Sequence, residues 1–247
     1  GSSPALYGEL VLVSGDTKGG GAIAALDRKS GRLVWKRERP SAPNYSSPIL
    51  LAIGGRDHLL MTGCDLVTSL DPLTGEANWE VAGATTECVT STVTDGTHIF
   101  TSGGFPKNHV SAVRADGSKK VAWENKERVY VPSMLIKDGF LYAVQDAGIA
   151  VCWEAATGKE MWKARLGGNY SASPVLVGDA IYATSESGET TIFQANSDEY
   201  QALGSKNKLG DEVFATPSFS RGQIFMRIAN QSDNQRQEQL VCIGERP

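Results

Sequence analysis

The chain has 247 residues, 40% of them apolar and 21% charged, with a formal net charge of −4 at pH 7. That apolar share supports a buried core and is too large for a disordered chain, while the mild negative charge without a basic stripe argues against nucleic acid or an acidic membrane surface as partner. No apolar run approaches the ~20 residues that a spanning helix needs.

From the N-terminus onward the chain reads as short strands and turns. Six units each open on a small residue, usually with a proline: Ser3-Pro4, Ser47-Pro48, Ser91-Thr92, Pro132-Ser133, Ser173-Pro174 and Thr216-Pro217. A short alternating strand follows, then a turn such as Asp95-Gly96, Asp138-Gly139 or Gly178-Asp179. Next comes an apolar strand: Leu10-Val11-Leu12-Val13, Leu59-Leu60-Met61, Ile99-Phe100, Leu141-Tyr142-Ala143-Val144, Ile181-Tyr182 and Ile224-Phe225-Met226 in turn. A third strand leads through an Asp/Thr-Gly turn to a fourth that carries a tryptophan. These are hairpin signals, and no stretch carries helical periodicity. The fifth unit lacks both the turn glycine and the tryptophan, and Tyr200-Gln201-Ala202-Leu203 is predicted as its fourth strand. The sixth unit supplies three strands.

The units are versions of one sentence. Ala25-Leu26-Asp27-Arg28-Lys29-Ser30-Gly31 ending at Trp35 recurs as Ser69-Leu70-Asp71-Pro72-Leu73-Thr74-Gly75 ending at Trp79. It returns as Cys152-Trp153-Glu154-Ala155-Ala156-Thr157-Gly158 ending at Trp162, and more loosely from Ala112 through Asp116-Gly117-Ser118 to Trp123. A period of about 40 residues with four short antiparallel strands per period is the signature of a propeller blade. The blades are placed at approximately residues 3–40, 46–82, 90–126, 131–166, 172–205 and 214–244 of one domain. Gly31, Gly75 and Gly158 stand where a tight turn asks for positive φ, and Ser30, Thr74 and Thr157 are placed to bond back to it. Each tryptophan is predicted to lie against the next blade, where burial of ~150–250 Å² contributes roughly 4–6 kcal/mol gross.

The Ala/Ser-Leu-Asp-x-x-Ser/Thr-Gly-x-x-x-Trp run resembles the repeat of the pyrroloquinoline-quinone-like β-propeller family, in its non-catalytic branch, over nearly the whole chain from Ser3 to Gly244. The resemblance implies an all-β propeller of four-stranded antiparallel blades, with six units here, the last incomplete. Because such rings commonly have seven or eight blades, it implies a piece of a longer parent. Open blade edges would then favour self-association. It also implies export, to the periplasm or beyond.

The family mixes quinoprotein dehydrogenases with binding scaffolds. A quinoprotein dehydrogenase needs a tryptophan floor, a calcium held by carboxylate and amide oxygens, a catalytic aspartate and often an adjacent cysteine pair. This chain has no adjacent cysteines, and its tryptophans are accounted for by the repeat. The expectation is a binding or scaffolding propeller for a protein or polysaccharide, with no catalytic residue, metal or cofactor. The alternative is the propeller portion of a quinone- and calcium-dependent dehydrogenase or another larger enzyme.

Other chemistry finds little support. Cys64, Cys88, Cys152 and Cys242 show no CxxC spacing, which argues against metal or thioredoxin-like sites. Cys152 and Cys242 fall in the column of Ala25, Ser69 and Ala112 and are predicted to be small buried space-fillers. His58, His98 and His109 lack metal-ligand spacing and are predicted to be solvated. Gly19-Gly20-Gly21 lacks the Lys-Ser/Thr of a phosphate cradle, and no Gly-x-Ser-x-Gly elbow occurs.

One constellation stands out. Tyr45, Tyr130, Tyr170 and Phe214 each precede the innermost strand of a unit, accompanied by Asn44, Arg128, Asn169 and Glu212, with Glu87 in the third unit. In a propeller these connections converge at one mouth of the channel, so the nine residues are predicted to form a ligand-binding surface; the alternative is that the aromatics pack between blades. Asn44-Tyr45-Ser46 and Asn169-Tyr170-Ser171 also read as glycosylation acceptors, though their identical repeat phase makes shared descent the simpler account.

Overall fold

Every regular element of the computed structural model, which describes residues 2–232 and 235–244, is a β-strand. The chain divides into two compact units, Gly1–Tyr130 with Ala155–Gly158, and Val131–Glu154 with Lys159–Pro247. In the first unit, β1 (Ala5–Tyr7), β2 (Leu10–Thr17), β3 (Gly20–Asp27) and β4 (Leu33–Arg39) form one sheet. A second follows from β5 (Ile49–Ile53), β6 (Arg56–Gly63), β7 (Leu66–Leu70) and β8 (Ala77–Ala82), and a third from β9 (Val93–Thr94), β10 (His98–Gly103), β11 (His109–Arg114) and β12 (Val121–Asn125).

In the second unit, β13 (Leu135–Lys137), β14 (Phe140–Val144), β15 (Ile149–Glu154) and β16 (Glu160–Arg165) form the fourth sheet. The fifth holds β17 (Val175–Val177), β18 (Ala180–Thr184), β19 (Glu189–Gln194) and β20 (Asn207–Lys208). The sixth has three strands among the described residues, β21 (Ser218–Ser220), β22 (Gln223–Ser232) and β23 (Gln235–Ile243). Each sheet is an antiparallel meander in chain order.

The tryptophan signature has a backbone counterpart that sequence patterning does not reveal. In each of the first four sheets the register between the third and fourth strands slips at the same place, leaving Val34, Asn78, Ala122 or Met161 as the extra residue. Such a bulge re-aims the next side chain, and the next side chain is always the tryptophan, opposite Ala25, Ser69, Ala112 or Cys152.

Trp35 Nε1–H donates to Pro72 O at 3.1 Å, and a Cβ on Gly75 would lie 2.5 Å from its ring. Trp79 approaches Gly117 in the same way, with a Cβ position 3.4 Å from Cδ1. Trp123 donates to Ala155 O at 2.8 Å and covers Gly158. In the second unit Trp162 donates to Asn196 O at 2.7 Å and meets the rings of Phe193 and Tyr200 edge-on. Trp35, Trp79 and Trp162 therefore wedge between successive sheets of their own unit, and Trp123 packs on the 155–158 turn of the first unit.

The small residue that opens the second, fifth and sixth repeats also has a task. Ser47 and Ser173 hydroxyls accept the N–H of Ser3 and Ser133, and Thr216 accepts that of Ser173, tying the entry of one sheet to that of the next.

Three expectations are corrected. Cys152 is fully buried, but Cys242 is exposed because it lies on β23, which has no further strand on its outer side among the described residues. His58, His98 and His109 are buried rather than solvated, each held by a neighbour: Ser69 Oγ at 2.7 Å, the Asp95 carboxylate at 3.2 Å and the Glu124 carboxylate at 3.2 Å. The fourth strand of the fifth sheet is Asn207–Lys208; within 200–203 only Ala202 forms a bridge, to Phe193.

Candidate functional site

The predicted surface residues separate into two groups. In the first unit, Tyr45, Glu87, Arg128 and Tyr130 come together, with Asn44 behind them. Tyr130 Oη donates to Glu87 Oε2 at 3.0 Å, and the Arg128 guanidinium carbon sits 5.2 Å from the centre of the Tyr130 ring. Arg128 also donates to Gly104 O at 3.3 Å. Gly104 is required here, since a Cβ on it would lie 2.6 Å from Tyr130 Cβ.

Burial first, then the bond to the Glu87 carboxylate, pushes the Tyr130 phenol up to about 12, and the neighbouring Tyr45 acts in the same direction. The phenol is therefore a fixed neutral donor at physiological pH, and a poor acid–base group.

Asn44 is structural. Its amide donates to Thr62 O at 2.8 Å, to Ser46 Oγ at 3.0 Å and to Asp16 Oδ2 at 3.2 Å, while its carbonyl accepts the Cys88 N–H at 3.0 Å. With its amide satisfied and 7% exposed, it is no glycan acceptor. Behind it, Arg39 Nε donates to both oxygens of Asp16 at 3.0 Å. Tyr45, anchored by its N–H to Cys88 O, is left 44% exposed.

Sequence reasoning missed Phe105. It is 52% exposed and forms an antiparallel bridge with Glu87, so it borders the same group. The signal was the Gly103-Gly104-Phe105 loop: a Cβ on Gly103 would lie 2.0 Å from Thr85 Oγ1, so the two glycines let the loop press against its neighbours.

In the second unit the pattern divides. Tyr170, in the same repeat phase as Tyr45, is 2% exposed and packs with Trp162, Leu166 and Phe193; this aromatic belongs to the core and not to a surface. Asn169 is exposed, with its carbonyl accepting the Glu186 N–H at 2.7 Å. Glu212 accepts from Arg236 Nε at 3.0 Å beside Phe214, which is 51% exposed.

Among the described residues no group of three or more His, Cys, Asp or Glu side chains is placed to hold a metal ion. Trp35, Trp123 and Trp162 are tied by their N–H groups to neighbouring turns, Trp79 packs on Gly117, and Trp153 is buried in the core. No helix is long and apolar enough to cross a membrane, among the described residues.

Antiparallel sheets in meander order, the first four each wedged by a tryptophan, define a β-propeller of pyrroloquinoline-quinone-like repeats. The sequence matches the family described as outer membrane protein assembly factor BamB over residues 1–164 and 106–207, and the chain belongs to that family. No curated protein matches the chain. Among solved structures it is similar to BamB from Moraxella catarrhalis, with a TM-score of 0.70 at 15% identity over 91% of this chain and 68% of that one. It is also similar to the quinohemoprotein alcohol dehydrogenase from Comamonas testosteroni, with a TM-score of 0.66 at 10% identity over 93% of this chain and 51% of the enzyme. A europium-containing methanol dehydrogenase gives a TM-score of 0.66 at 10% identity, over 92% and 61%. The chain thus spans less than two thirds of either dehydrogenase, and at these identities the likeness is one of fold.

Proposed function

We propose that this chain is a non-catalytic binding propeller, exported to the periplasm, that holds a protein segment on the Tyr45–Glu87–Arg128–Tyr130 face of its first unit. The observation that carries this reading is the Arg128–Tyr130–Glu87 arrangement: an aromatic ring with a guanidinium over it and its hydroxyl bonded to a carboxylate, flanked by the exposed rings of Tyr45 and Phe105. Aromatic and arginine side chains dominate protein recognition, the rings because they present large area at small entropic cost and arginine because its planar fork makes several directed hydrogen bonds. Family membership favours a protein partner over a polysaccharide. The family's description is of a factor for protein assembly, and a polar aromatic face suits an extended segment.

A peptide and glycan array screened with the full chain tests this. Peptides are bound, glycans are not, and replacing Tyr45 and Arg128 with Ala abolishes binding while the thermal transition stays in place. Binding that survives both substitutions places the surface elsewhere. Titration with pyrroloquinoline quinone and calcium supplies the opposing test, since a bound and reducible quinone overturns the non-catalytic reading.

A further inference from the structure

The second unit contains a pocket of about 310 Å³ between its fifth and sixth sheets. Its walls match, position for position, the walls around Trp162. Trp162 stands opposite Cys152, beside Tyr142 of its own sheet, and packs with Leu176, Ile181 and Phe193 of the following sheet. One repeat later the strand pairings put Ile192 where Cys152 is and Tyr182 where Tyr142 is. They also put Phe219, Ile224 and Ile243 where Leu176, Ile181 and Phe193 are. All five line the pocket.

The residue in the tryptophan column of this repeat is Leu203. Its N–H bonds to Ile192 O, and the Phe193–Ala202 bridge sets the two opposite each other. Leu203 is 37% exposed and is not part of the pocket wall. The slot that indole fills elsewhere is therefore present here with its walls and without its wedge.

A second difference points to a ligand. Where the filled slot has Val144 and Ala150, this one has Thr184 and Thr190, with hydroxyls 2.9 Å apart and both lining the pocket. One hydroxyl donates to the other, which leaves lone pairs to accept from a ring N–H. An apolar pocket of this volume with a few convergent polar groups has the make-up of a small-molecule site.

We propose that the pocket binds a small planar aromatic heterocycle of indole size, its ring between Tyr182 and Ile243 and its N–H toward Thr184 and Thr190. Indole itself is the probe. Titrated into the methyl-labelled full chain, it moves the methyl resonances of Ile192, Ile224, Ile243 and Met226 saturably and leaves those of the first unit in place, and the thermal midpoint rises with indole concentration. Leu203→Trp, which supplies the missing wedge from the chain itself, binds indole at least about tenfold more weakly. Ile243→Trp, at a half-exposed position, gives the same result from the opposite wall if the first variant does not fold. Unmoved pocket methyls, shifts centred elsewhere, or undiminished affinity in both variants would overturn the assignment.

Discussion

The indole of Trp35 lies against Gly75 of the following repeat so closely that a single added methyl would stand 2.5 Å from its ring, while its N–H reaches Pro72 O in the same turn. The turn glycine thus meets two requirements. At φ +72° it adopts a conformation that other residues resist, and it also clears the floor of the indole slot. Gly31 occupies the same repeat position with φ +71°, yet nothing lies within 4 Å of its Cβ position. The molecule therefore carries its own control.

Both glycines are expected to tolerate alanine poorly, but unequally. Gly31→Ala should cost about 1–2 kcal/mol, the penalty of the left-handed conformation alone. Gly75→Ala should cost roughly 1–3 kcal/mol more, because the indole must shift from its slot. Urea unfolding of the two variants measures the difference, and equal losses would mean that the tryptophan is not held by the turn.

The cysteines give a second check, on burial. Burial pushes the Cys152 thiol up to about 12 and raises those of Cys88 and Cys64, whereas Cys242 lies exposed on β23. Since the thiolate is the reacting form, a disulfide reagent at neutral pH should find one fast equivalent in the native chain. Cys242→Ser removes it, and the other three appear only after denaturant is added. Two or more fast thiols in the native state would contradict the burial of the remaining cysteines.

Burial of His58 makes a pH-dependent contribution whose sign can be worked out. Loss of solvent first, then the nearby Arg56 charge, lowers its pKa from the usual 6.5, so the folded state favours the neutral ring bonded to Ser69. Stability from this group is complete above pH 6.5 and declines below it, where the unfolded chain takes up a proton that the folded one resists. The thermal midpoint should therefore fall between about pH 7 and pH 5 less steeply in His58→Gln than in the parent. Parallel profiles would show that the ring is solvated after all.

The architecture was legible because its determinants are local. Turn glycines, alternating strands and a tryptophan at fixed spacing each act within a few residues, so six sheets and their strand order follow from Asp27-x-x-x-Gly31-x-x-x-Trp35 and its copies. The candidate surface was legible only in part, because repeat phase does not determine burial. Tyr45 and Tyr170 share a phase, but the second is covered by Trp162, Leu166 and Phe193 and the first has no such cover. Histidine burial was missed for a related reason: His58 and Ser69 are partners across adjacent strands, and nothing in either residue's neighbourhood along the chain announces the other. The Trp162-like slot beside Ile192 was invisible in the same way, since a missing tryptophan reads as repeat decay until the walls are seen to persist.

The Asp16–Arg39 pair offers the sharpest test of the first unit. Their side chains are 2% and 6% exposed, and both Asp16 oxygens accept from Arg39 Nε at 3.0 Å. Arg39 Nη2 is buried without a hydrogen-bond partner among the described residues, so the pair is held by the fold more than the fold is held by the pair. Breaking a buried pair on one side strands a charge, at a cost of about 3–5 kcal/mol, while replacing both members by neutral groups is often nearly free. Arg39→Met should therefore lose about 3–5 kcal/mol in urea unfolding, leaving the Asp16 carboxylate with the Asn44 amide. Adding Asp16→Asn should recover more than half of that loss. A loss below about 1 kcal/mol in Arg39→Met would place the carboxylate in contact with water and the pair among ordinary surface bridges.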